Sequence, residues 1–183
     1  MRIVSGSLKG RRFSPPSNFK ARPTTDFAKE NIFNVLNNIV DFTSVKVLDL
    51  FSGTGSISFE FASRGCEDVT SVEKDFKHYR FIQKVIDELG LRNSIHVIKG
   101  DAFKYVEKTN AKFDIIFADP PYDLKDAERL PELVMGSDIL NEGGIFIFEH
   151  SDKKDYSGLP GVKEVRKYGK VNFTIFEKTQ NDT

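Results

Sequence analysis

At 183 residues, 39% hydrophobic and 30% charged, the chain has the length of one domain and an ordinary globular composition. No apolar run approaches the ~18 residues of a membrane span, and charges near the N-terminus argue against a signal peptide. The single cysteine, Cys66, excludes an internal disulfide framework and suits a reducing, cytoplasmic setting. The formal net charge is zero, but residues 1–25 contain Arg2, Lys9, Arg11, Arg12, Lys20 and Arg22 and no acid. A basic segment on an otherwise acidic chain is a footprint for a polyanion.

In chain order, residues 1–24 read as a basic arm and 25–183 as the main domain. Arg2–Gly6 and Leu8–Phe13 predict two short strands around a Gly/Ser turn, and Pro15 and Pro16 then break regular structure. Thr25 or Asp26 can cap a helix whose apolar positions are Ile32, Val35, Leu36, Ile39 and Val40. Beyond it strands and helices alternate: a strand over Val45–Phe51, a helix over Ile57–Ser63, a strand over Val69–Glu73. An amphipathic helix over Phe76–Leu89, stopped by Gly90, leads to strands at Ile95–Ile98, Phe113–Ala118 and Ile145–Phe148. Residues 165–176 predict a closing antiparallel hairpin. This order implies a mostly parallel sheet with helices on both faces, whose ligands sit at the carboxyl ends of the strands. Asp49, Glu73, Asp101 and Asp119 each stand at or just past a strand end, and four acids in register describe a site.

The loop Asp49-Leu50-Phe51-Ser52-Gly53-Thr54-Gly55 passes from strand to helix, and its glycines let a ligand approach backbone closely. A dinucleotide loop needs a third glycine where Ser58 stands. Glu73, twenty residues past Gly53, can accept both hydroxyls of a ribose. Asp49 would repel a pyrophosphate but can hold an α-ammonium, directly or through water, which favours S-adenosylmethionine over NAD; alternatively it closes the turn. Asp101 and Ala102 are placed to meet an adenine ring, with Asp101 also able to cap a helix over Phe103–Glu107. Phe51, Thr54, Gly55 and Lys74 complete the expected cofactor set, together with Asp119 on its catalytic side.

Asp119-Pro120-Pro121-Tyr122 is the most informative tetrapeptide. Its prolines remove two N–H donors, so the loop offers acceptors. An exocyclic base amine is a donor and a poor nucleophile; acceptors at the Asp119 carboxylate and the Pro120 carbonyl favour the tetrahedral nitrogen that forms during methyl transfer. Tyr122 offers a face on which the base can stack.

These segments resemble motifs I and IV of the amino-methyltransferases. Met1–Gly6, Lys9-Gly10-Arg11-Arg12, Arg22-Pro23-Thr24 and Tyr168-Gly169 further resemble the RsmD family, over nearly the whole chain. The resemblance implies a Rossmann-like, seven-stranded methyltransferase sheet with an N-terminal hairpin that holds RNA. It implies methylation of N2 of a guanine (guanine 966) in 16S ribosomal RNA, within the small subunit or its assembly intermediate. Gly53, Thr54, Glu73, Asp101 and Ala102 would then touch S-adenosylmethionine, and Asp119, Pro120 and Tyr122 the guanine. Arg2, Lys9, Arg11, Arg12, Arg22 and Thr24 are the expected RNA contacts, on a protein working as a monomer without metal. Phe27 departs from the family pattern, which tends to place an arginine there, so the arm's RNA-facing charge is expected to be weaker. The bland alternative for the arm is a solvated tail, and for His78, His96 and His150 scattered structural residues. An adenine-N6 methyltransferase, an NAD(P) oxidoreductase and a non-catalytic RNA-binding module remain as rival readings.

Overall fold

The computed structural model describes residues 1–17, 19 and 24–179. Its elements in order are α1 (Asp26–Asn37), β1 (Lys46–Leu50), α2 (Ser56–Ser63), β2 (Asp68–Glu73), α3 (Phe76–Leu89) and β3 (Ile95–Lys99). There follow α4 (Ala102–Lys108), β4 (Phe113–Ala118), a 3-10 turn (Ala127–Arg129), α5 (Leu130–Met135), β5 (Leu140–Ser151), β6 (Val162–Tyr168) and β7 (Val171–Glu177). The seven strands form one sheet in the order β3-β2-β1-β4-β5-β7-β6. The first five run parallel, and β7 enters antiparallel between β5 and β6.

Alternation along the strands splits the apolar residues between two cores. Val47, Ile115, Phe117, Ile145 and Ile147 face α1, α2 and α3, while Leu48, Leu50, Ile116, Phe146 and Phe148 face α4 and α5. Both faces are therefore covered, as parallel strands require. Each fully buried Phe or Ile contributes about 1.5–3 kcal/mol relative to its exposed state. The polar asymmetry follows the same parity: the side chains of Asp49, Asp119 and Glu149 fall on the side of α1 and α2.

The sequence signals held best where caps were explicit. Thr25 Oγ1 accepts from Ala28 N at the start of α1 (3.2 Å), and Gly90 closes α3 in the left-handed conformation. Two elements differ from expectation. Strand β5 begins at Leu140, five residues early, because the Gly143-Gly144 pair lies within it. A Cβ on Gly144 would meet Asn141 O at 2.6 Å, so the pair permits the irregular entry rather than ending the strand. Helix α5 carries no sequence signal beyond its length of six residues, and Pro131, which reads as a breaker, stands in its first turn.

The arm is docked rather than solvated. Arg2 bridges Arg12, Ile3 N donates to Arg11 O (3.0 Å), and Ile3 is buried in the core beneath α1 and α2. Buried Glu60 of α2 accepts from Val4 N (2.9 Å) and Ser5 N (3.0 Å); Ser63 O accepts from Ser7 N (2.7 Å). Gly6 lies so close to α2 that a Cβ there would stand 1.8 Å from Ser63 O, which makes glycine obligatory. Lys29 closes the arrangement, donating from its buried Nζ to Arg2 O (2.5 Å) and Ser56 Oγ (2.9 Å). Burial holds the Lys29 ammonium below its ordinary pKa, against the raising influence of Glu60 and Asp26.

Candidate functional site

The ends of β1, β2 and β3 form one half of the site. Between β1 and α2 the backbone turns at Phe51, Gly53 and Gly55, with φ of 60°, 55° and 76°. Phe51 is the one non-glycine residue at positive φ among the described residues, a conformation costing roughly 1–2 kcal/mol. Its ring meets Phe103 edge-on at 6.1 Å, so an aromatic pair flanks the loop.

Glu73 closes this loop from β2. One carboxylate oxygen accepts from Gly53 N and the other from Asp75 N, each at 2.7 Å. A carboxylate has about four acceptor positions, so two remain for ribose hydroxyls. Asp101 caps α4 through Phe103 N (3.1 Å) and Lys104 N (3.3 Å), while its second oxygen meets Lys74 Nζ (3.1 Å). Those hydrogen bonds, and the Lys74 charge, outweigh partial desolvation and hold its pKa below the usual carboxylate range. The cap and the cofactor position are thus the same residue.

Asp49 is placed differently from a direct ammonium ligand. It is 1% exposed, and one carboxylate oxygen accepts from Ser58 Oγ (2.6 Å) and Ser58 N (3.2 Å). Ser71 Oγ donates to Ser52 Oγ (2.7 Å) alongside, making a buried hydroxyl cluster. Burial pushes the Asp49 carboxyl up to about 7, although the Ser58 hydrogen bonds pull it down. This explains the serine at the third-glycine position, since glycine would leave the buried acid short of a donor. Asp49 is therefore a buried carboxylate that pins the first turn of α2 through Ser58.

The other half lies just past the end of β4 and on the last residues of β5. Their register pairs Ala118 with Phe148, so Asp119 and Glu149 follow side by side on parallel strands. Thr24 stands between them: its Oγ1 is 2.9 Å from Glu149 Oε2 and 3.4 Å from Asp119 Oδ2. Thr24, an expected RNA contact, is only 8% exposed and lies against the carboxylate pair. Sequence reasoning missed Glu149, although the signal was present: it is a fifth acid just past the apolar run of a strand. Pro120, Pro121 and Tyr122 border a cleft of about 130 Å³ that runs to Phe148 and Tyr156, with Lys125, Lys153 and Lys154 on its rim. Tyr122 is 51% exposed, leaving ring surface available beside Asp119.

Of the expected RNA contacts, Lys9, Arg11 and Arg12 are exposed on the arm. Arg2 is half-exposed and lies 3.2 Å from Asp26. Arg22 falls outside the described residues. His150 is structural: its ring bonds Ser151 O and Thr174 Oγ1, both at 2.8 Å. Cys66 is buried, and desolvation pushes its thiol up to about 11.

The donor set fits S-adenosylmethionine. Acids at Glu73 and Asp101 match a ribose and an adenine amine, and the glycine turn admits close approach.

Comparison with known proteins agrees with this geometry. The model of the family described as conserved hypothetical protein 95 matches residues 1–177. A Bacillus subtilis protein named as a candidate rRNA methyltransferase, YlbH, is 32% identical over 97% of this chain and 99% of its own. The ribosomal RNA small subunit methyltransferase D of Escherichia coli is 30% identical over 88% of this chain and 79% of its own. Among solved structures, the Thermus thermophilus 16S rRNA N2 G1207 methyltransferase (RsmC), in complex with AdoMet and guanosine, has a TM-score of 0.68. At 22% identity, covering 87% of this chain and 45% of that one, it shows a shared fold. The chain belongs to the conserved hypothetical protein 95 family, that of RsmD, and has the fold of the class I methyltransferases.

Proposed function

We propose that this enzyme methylates the exocyclic N2 amine of a guanine, guanine 966 in the family's pattern, in the 16S RNA of the small ribosomal subunit. The observation carrying the reading is the pair of neighbouring strand ends that sets Asp119 beside Pro120, Pro121 and half-exposed Tyr122. When bound, S-adenosylmethionine supplies a methyl group on a positively charged sulfur, an electrophile strong enough for an uncharged amine. Gly53, Thr54, Gly55, Glu73, Lys74, Asp101, Ala102 and Phe51 are the residues that would hold it.

The protein's own part is to position the amine and stabilise the charge it develops. Asp119 and the Pro120 carbonyl accept the two amine hydrogens, which turns the nitrogen lone pair toward its target. As the amine becomes cationic those two acceptors hold it more tightly than in the ground state, which lowers the barrier. Tyr122 stacks on the base and fixes its plane. The surplus proton leaves to Asp119 or to water, so no separate base is needed.

Exposed Lys9, Arg11 and Arg12 serve as phosphate contacts, giving salt-sensitive affinity without base choice. The enzyme acts as a monomer in the cytoplasm. The test is incubation of labelled S-adenosylmethionine with undermodified small subunits, followed by nucleoside analysis. N2-methylguanosine is expected. Label in N6-methyladenosine, or in DNA alone, overturns the reading.

A further inference from the structure

Phe27 is the most exposed large hydrophobic residue among those described, at 66%, although it sits in the first turn of α1. It is not loose. Its ring meets Tyr168, at the end of β6, edge-to-face at 6.0 Å and 87°, and Tyr168 in turn packs against buried Phe173 at 5.9 Å. The exposed ring is thus held in a defined orientation by a neighbour rooted in the core.

Its surroundings connect the arm to the catalytic carboxylates. Asp26, next in sequence, meets Arg2, and Arg2 bridges exposed Arg12. Three residues before Phe27 is Thr24, whose hydroxyl contacts Glu149 and Asp119. Three residues of chain span at most about 11 Å, so the Phe27 backbone lies within that reach of Thr24. Lys170 is exposed in the turn just past Tyr168 and Gly169, whereas Lys167 lies on the opposite face of β6, toward Asp155 and His150. An oriented, exposed aromatic face with cations within reach is the chemistry that takes an unpaired base with its phosphates.

We infer that Phe27, braced by Tyr168, is a stacking site for an unpaired base flanking the target nucleotide. The inference rests on the RNA substrate proposed above. A protein partner would also cover an aromatic pair, but Lys170 and the arm's exposed Arg11 and Arg12 match a polyanion. Stacking here adds affinity that salt does not screen, whereas Lys9, Arg11 and Arg12 supply the part that it does.

The experiment measures methylation of small subunits by wild type, Phe27→Ala, Phe27→Trp and Phe27→Arg over a range of salt. Phe27→Ala is expected to raise the RNA KM about 10-fold, the order expected of one stacked base, while Phe27→Trp stays within twofold of wild type. S-adenosylmethionine affinity serves as the folding control and should not move. Phe27→Arg should bind at low salt but lose affinity faster as salt rises, with a slope steeper by about 0.7–0.9 per added phosphate contact. A Phe27→Ala KM within twofold of wild type, with cofactor binding intact, overturns the stacking site and leaves the RNA reading standing. If wild type labels no RNA at all, both fall together.

Discussion

The two halves of the site are built by different means. At the ends of β1, β2 and β3, each acid already holds backbone N–H groups near it in sequence or on the adjoining loop: Glu73 holds Gly53 and Asp75, Asp101 holds Phe103 and Lys104, Asp49 holds Ser58. Past β4 and along the end of β5, the carboxylates of Asp119 and Glu149 are joined through Thr24, 95 and 125 residues away in sequence. The cofactor half is prepared locally. The catalytic half joins residues far apart in the chain.

That contrast can be broken in four places. Asp119→Ala should remove the acceptor of the reacting amine and lower turnover by roughly 10³-fold. Isothermal titration should find cofactor affinity unchanged within a few-fold, and a large loss would merge the two halves. Glu73→Ala should do the reverse, weakening S-adenosylmethionine by roughly 10- to 100-fold through lost hydrogen bonds to a charged group. A fall confined to turnover would count against its assignment to the cofactor.

Thr24→Val keeps the shape and deletes the shared hydroxyl. A roughly 10-fold fall in kcat with unchanged cofactor affinity is expected from single-turnover assays, because the carboxylate pair loses its connecting donor. The smallest effect is on pH. Asp49 has its folded pKa raised to about 7, above the unfolded value near 4, so the folded state binds its proton more tightly. Its contribution to stability is full below about pH 4 and is lost as pH rises to about 7. Thermal melts of Asp49→Asn should therefore lack that decline, while wild type shows it.

The same contrast governs what could be read from the residues alone. The strand-end acids Glu73 and Asp101 were legible because their partners lie in the same or the next segment, and capping obeys local rules. Asp49 was legible as a site residue but not in its orientation, since only the fold shows that Ser58 returns over it. Thr24 was assigned to RNA on the company of Arg22 and Pro23, and its burial against Glu149 depends on long-range packing that no local pattern encodes. Residues 1–24 looked like a separate basic arm because charge dominates their composition. Glu60, Ser63 and Lys29, which seat the arm, carry no signal as isolated letters in α1 and α2. Helix α5 stayed invisible for a simpler reason: six residues are too few to establish a period.

Strand β4 has a further consequence. It is laddered on both sides, to β1 and to β5, and Asp119 is the first residue beyond its last pair. Side chains on a strand alternate faces, so a pairing error of a single residue would not shift the carboxylate by a little; it would turn it to the opposite side of the sheet. The position of the reacting acceptor is therefore quantised. Folding delivers the whole acceptor site or none of it, and no continuum of half-active registers lies between.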